Sequence, residues 1–100
     1  VKLARVVGTV VSTRKEAAVD GLRLMLIAPA DEKGVPAGNP IVAADAVGSG
    51  VGELVLFASG SSARQTAVTK DRPVDAVIMA IVDAVDRQGQ TTYAKGAEEA

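Results

Sequence analysis

Glycine and proline divide this chain into short apolar segments, and that spacing limits its fold more than any other feature. The opening stretch LARVVGTVVS is rich in Val and Thr, which suit a pleated surface, and Gly8 marks a bulge or a sharp bend. After a polar stretch, 13–21, LRLMLIAP reads as a second strand. It sets Leu22, Leu24 and Leu26 on one face and Arg23, Met25 and Ile27 on the other. Pro29 ends it, and ADEKGVPAGNP is turn chemistry throughout. IVAADAV and ELVLFAS are the third and fourth strands. SGSSARQT then breaks the pattern with a short helical turn that Ser61 or Ser62 can cap. AVIMAIVDAVD is long enough for a buried helix, but Pro73 ahead of it, its β-branched content and the Asp83/Val85 alternation favour a single strand. RQGQTTYAK reads as a turn at Gly89 and a short last strand, and residues 96–100, GAEEA, are expected to fray. The expected fold is all-β: one domain over 1–100, a small barrel of five to six strands with one short helix.

Such a barrel must be filled from an unusual set of side chains. The chain is 48% apolar, yet it has one Phe, one Tyr and no Trp. One hundred residues bury a modest fraction of their surface, so a core this thin suggests further burial through association. Function classes fall away on similar grounds. Without Cys there is neither a disulfide framework nor a thiolate metal site, and without His the commonest general base and metal ligand are missing. A net charge of −1 from interleaved acids and bases offers no basic stripe for a phosphate backbone. No segment has the unbroken apolarity of a membrane helix and no leader is evident, so the cytosol is the expected address.

The loop DAVGSGVGE, residues 45–53, is the one stretch that invites a ligand. Its glycines Gly48, Gly50 and Gly52 recur at every second position, whereas a dinucleotide loop needs G-x-G-x-x-G opening a helix. Here Glu53 stands where that motif has glycine, and the strand ELVLF follows. A phosphate would meet a carboxylate and no helix dipole. The loop is better explained by positive φ or by close approach of backbone, including approach of a second copy at a symmetry axis. Ser12 to Lys15 matches S-x-x-K without the companion motifs of that chemistry. Asp83 and Asp86, three apart on a strand, face opposite ways and do not form a catalytic or metal-binding pair. No catalytic, metal or cofactor site is expected.

Four segments in order resemble one family: RVVGTVVSTRK, GLRLMLIAP, VAADAVGSGVGELVLFASGSSAR and RPVDAVIMAIVD. Over residues 2–86 the chain is similar to the vertex proteins of bacterial microcompartment shells, the family that contains the carboxysome and ethanolamine-utilisation pentamers. Ala80 and Ala46 depart from it, where Gly and Thr are common. The resemblance implies an OB-like barrel, a homopentamer, and a structural role at the corners of a cytoplasmic polyhedral shell. It also implies hexameric and trimeric shell proteins as partners, and no enzyme activity, cofactor, nucleic acid or membrane. In that setting Gly48, Ser49, Gly50 and Gly52 are expected at a subunit interface or the five-fold axis. The competing reading, an OB-fold protein for single-stranded nucleic acid, needs a basic groove and aromatic platforms, and the chain has only Phe57 and Tyr93.

Overall fold

In the computed structural model, residues 1–13 and 15–96 are described; of the expected frayed tail, 97–100 lie outside them. Seven strands appear: β1 (Lys2–Val10), β2 (Leu24–Pro29), β3 (Ile41–Asp45), β4 (Leu54–Ser59), β5 (Ala76–Ile81), β6 (Ala84–Arg87) and β7 (Gln90–Ala94). The first five close into a barrel in the order β1-β2-β3-β5-β4, with β4 pairing back onto β1. All neighbours are antiparallel except β3 and β5, where Ala44 pairs with Val77 and Asp45 with Ile78. One parallel closure in a five-stranded barrel is the OB-like arrangement the resemblance implied.

Two expectations about the elements change. The run 76–86 is not one strand. Val82 N–H donates to Leu54 O at 2.8 Å, the last bond to the barrel wall, and the chain leaves the wall at the exposed Asp83 to start a separate hairpin, β6–β7. The single short helix is replaced by two 3₁₀ turns, Ala17–Val19 and Gly60–Arg64. Gly8 does mark a bulge: Val6 pairs with Ile27 and Gly8 with Leu26, which leaves Val7 extra. The bend lets β1 serve two neighbours, β4 along Lys2–Arg5 and β2 along Ala4–Val10.

Strand alternation sorts the side chains. Ala4, Val6, Met25, Ile27, Ala43, Val55, Phe57, Ala76 and Ile78 fill the barrel. A five-stranded barrel is narrow, and alanine on three of its strands is what lets the wall close around Phe57 and Met25. The alternate residues Ala44, Ala58 and Val77 face outward and are buried beneath the 3₁₀ turn through Ala63. Thr69, fully buried, ties that cover down by donating to Ala63 O. The β3–β5–β4 wall is therefore apolar on both faces.

The β6–β7 hairpin turns at Gln88 and Gly89, with φ of 51° and 79°. Two positive φ values define a type I′ turn, which asparagine fits better than glutamine at the first position. Gln88→Asn should raise stability by roughly 0.5–1 kcal/mol in chemical denaturation, because it relieves part of the left-handed penalty. A loss of stability would mean that the glutamine side chain makes a contact worth more than the strain.

Candidate functional site

The glycine loop begins at Asp45, whose side chain is fully buried at one end of the barrel. Its Oδ1 accepts the N–H groups of Val47 and Gly48, each at 3.1 Å, and its Oδ2 accepts a hydrogen bond from Arg23 Nη1. The same Arg23 nitrogen donates to Ser49 O. Burial acts to raise the Asp45 carboxyl, but the N–H groups of Val47 and Ser49 and the Arg23 guanidinium outweigh it and hold the group below its ordinary value. At the other end, Gly50 N–H donates to Glu53 Oε1 at 2.6 Å, and Lys95 Nζ lies 2.6 Å from Glu53 Oε2. The hydrogen bonds from Lys95 and Gly50 lower the Glu53 carboxyl, and the same pairing raises the Lys95 ammonium.

These contacts decide the phosphate question. An anion-binding loop works by offering free backbone N–H groups. Here the N–H groups of Val47, Gly48 and Gly50 are taken by the chain's own two carboxylates, and that of Gly52 by Val6 O at 2.8 Å. Gly48 and Gly52 have φ of 77° and 94°, with no described atom within 4 Å of where a Cβ would sit, so their requirement is conformational. Gly50 lacks a positive φ, and a Cβ there would meet only Glu53 Oε1 at 3.5 Å. Ser49 is fully buried, and its hydroxyl has no partner among the described residues. It offers no surface to a neighbour, whereas Gly48, Val51 and Gly52 are exposed.

Arg5 holds the loop from outside the barrel. Its Nη1 donates to Gly52 O at 2.9 Å, and its Nε and Nη2 donate to Gly34 O at 2.9 and 2.6 Å. Its guanidinium lies 5.3 Å from the centre of the Tyr93 ring, a cation–π contact. Nothing in the sequence singled out Arg5. A lone basic residue in a strand carries no signal until the two turns and the hairpin converge on it.

The rest of the outer wall carries two apolar strips. On one side Leu3, Leu56 and Ala80 stand in register across β1, β4 and β5, next to Met79, which is extra at a bulge and 42% exposed. On another side Gly8, Leu26 and Val42 stand in register across β1, β2 and β3, and Val42 is 45% exposed. The β2–β3 face is where an OB barrel grips a nucleic-acid strand, and here it presents Leu26 and Val42, while Ala44 and Leu24 pack into the cluster beneath the 3₁₀ turn. Both aromatic rings are buried, Phe57 in the core and Tyr93 beneath the hairpin.

The remaining candidates do not converge. Ser61 and Ser62 lie inside the 3₁₀ turn; the capping position is Ser59, with no side-chain cap hydrogen bond, because the serines expected to precede the turn are part of it. Asp86 accepts from Thr91 Oγ1 at 2.7 Å on the hairpin, while Asp83 stays at the barrel exit. Among the described residues no group of three or more acids could hold a metal ion.

The profile of the family described as ethanolamine utilisation protein EutN/carboxysome matches residues 1–83. The carboxysome shell vertex protein CcmL of Gloeobacter violaceus is 46% identical over 94 residues, 94% of each chain. Its solved structure superposes with a TM-score of 0.88 at 45% identity, covering 95% of this chain and 98% of that one. The bacterial microcompartment shell vertex protein EutN of Escherichia coli K12 is 40% identical over 94 residues, 94% of this chain and 99% of the relative. The structure described as the GrpN pentameric microcompartment shell protein from Rhodospirillum rubrum gives a TM-score of 0.78 at 41% identity, covering 87% of this chain and 99% of that one.

The loop geometry predicts unequal tolerance. Gly52→Val should cost about 1–2 kcal/mol through its left-handed φ, and Gly50→Ala should cost well under 1 kcal/mol, as read by chemical denaturation. Equal costs would show that φ does not set the requirement. Asp45 predicts an acid limb. Its folded pKa lies below 3.8, so its contribution is fully present above that value and is lost as pH falls through the folded pKa. Asp45→Asn should be less stable than wild type by about 2 kcal/mol at neutral pH, with the gap narrowing below about pH 4. A gap that stays constant down to pH 2 would show that the carboxylate charge contributes nothing.

Proposed function

This chain belongs to the EutN/carboxysome family of shell vertex proteins, and we propose from that premise that five copies close a ring that caps a vertex of a microcompartment shell in the cytoplasm. The observation that carries the ring is the pair of unlike apolar strips on one barrel, Leu3–Leu56–Ala80 with Met79 and Leu26–Val42. A two-fold dimer matches one patch with itself. Two different patches facing different ways suit a head-to-tail interface, which forms a ring when the rotation closes. The pentameric description of GrpN supports five as the number.

Capping needs no chemistry. A flat hexagonal tiling closes into a polyhedron only where five-fold units replace six-fold ones, so the ring contributes shape. Its partners in this reading are the hexameric and trimeric tiles that meet its rim, and it turns over no substrate. The loop is in keeping with this, since its donors are occupied by Asp45 and Glu53. Gly48, Gly50 and Gly52, with the exposed Val51, face a neighbouring copy or the five-fold axis, where the absence of side chains permits close approach. Single-stranded nucleic acid is disfavoured by the apolar β2–β3 face and the two buried rings.

The test is complementation of a strain that lacks the gene. Wild-type protein should restore closed polyhedral shells in electron microscopy and give five copies in native mass spectrometry. Val42→Glu leaves the barrel interior untouched, yet it buries an unpaired charge at the proposed contact. It should give folded single chains and elongated or open shells. Five-copy rings with Val42→Glu would move the interface off this face. Closed shells in the gene-deleted strain, with no second vertex gene present, would rule out vertex capping.

A further inference from the structure

The family profile ends at residue 83, and the hairpin begins at Ala84. The hairpin lies beyond the profiled segment, within the span that the carboxysome relative's structure shares with 95% of this chain. As a two-stranded sheet it is marginal by itself and must be docked. Its docking contacts are concentrated. Lys95 reaches Glu53, the residue that receives Gly50 N–H. Tyr93, 5% exposed, covers Arg5, the residue that holds Gly52 O. Arg87 pairs with Glu32 at 2.7 Å, and Thr92 donates to Glu32 O at 2.8 Å, which fixes the turn that presents Gly34 O to the same Arg5. Gly34 has a φ of 80°, and a Cβ there would overlap the Arg5 guanidinium and come within 2.9 Å of the Tyr93 ring.

We propose that the β6–β7 hairpin is a brace that sets the conformation of the glycine loop, acting at Gly50 through Lys95 and Glu53 and at Gly52 through Tyr93 and Arg5. Lys95 and Tyr93 are positioning residues: neither touches the loop backbone in these contacts, and each orients the side chain that does. The brace is made within one chain, so it holds whether or not the ring reading is right. It makes the loop's shape a property of each subunit before any copy meets another.

Hydrogen–deuterium exchange on the full chain in its solution assembly tests this, followed in peptides spanning 45–53 and, for the core, 25–29 and 54–58. Tyr93→Leu keeps apolar bulk and removes the cation–π contact, and should speed loop exchange by about tenfold. Lys95→Met should speed it by about threefold, and Lys95→Arg should restore the wild-type rate. Core peptides should keep their wild-type protection. Loop exchange at the wild-type rate in both Tyr93→Leu and Lys95→Met overturns the brace. Acceleration of loop and core together, or a failure of Lys95→Arg to restore the loop, also overturns it, because the hairpin would then serve general stability. Native mass spectrometry of the same samples separates the two readings: wild-type protein that is not a pentamer faults the ring and leaves the brace standing.

Discussion

Arg5 is the point on which the outer architecture depends. It stands on the outside of the barrel, on the strand that pairs with both β2 and β4, opposite Ala28 and Leu54. One planar guanidinium donates to two carbonyls from turns far apart in sequence and lies against an aromatic ring. Only arginine has the donors and the flat face to do this; a lysine is a point charge with no fork. Its register partners Leu54 and Ala28 also face away from the barrel interior, and both are buried.

The narrow barrel sets the second constraint. Five strands leave room for small residues, so the interior is completed with alanines, and the apolar surface that a larger core would have absorbed stays on the outside. Val42 and Met79 are half exposed for this reason, on two different faces. An exposed apolar strip on an isolated domain marks an interaction site. Thin interior and sticky exterior are thus two aspects of one geometry, and a ring resolves both by burying the strips between copies.

The loop shows how a glycine-rich segment can carry the outline of an anion site without being one. Asp45 and Glu53 bracket it and occupy the backbone donors that a ligand would need. Positive φ at Gly48 and Gly52 turns the chain, the buried Ser49 faces inward, and Val51 is left at the exposed tip. The result is a preset shape in which the N–H groups of Val47, Gly48, Gly50 and Gly52 are already used.

Much of this was legible in the order of residues. Turn chemistry at 30–40, 45–53 and 88–89 and the alternation in LRLMLIAP are local signals, so the first four strands, an irregularity at Gly8 and the β-barrel class could be read directly. The quoted segments carried the family. Other features could not be read, because their causes are distant in sequence. Asp83 looks like one more polar residue in a strand until Val82 bonds to Leu54 and the wall ends there. Ser61 and Ser62 look like caps until the turn starts at Gly60. Leu24 and Met25 are equal in pattern, and only barrel closure decides that Met25 faces in and Leu24 out. The sequence by itself determined the early strands, the small-residue core and the lack of Cys and His, since these rest on local propensity and composition. Tertiary structure alone decided that Arg5 is a hub and that the outer strips face different ways, because the first requires residues 29 to 47 positions apart to meet and the second requires the barrel to close.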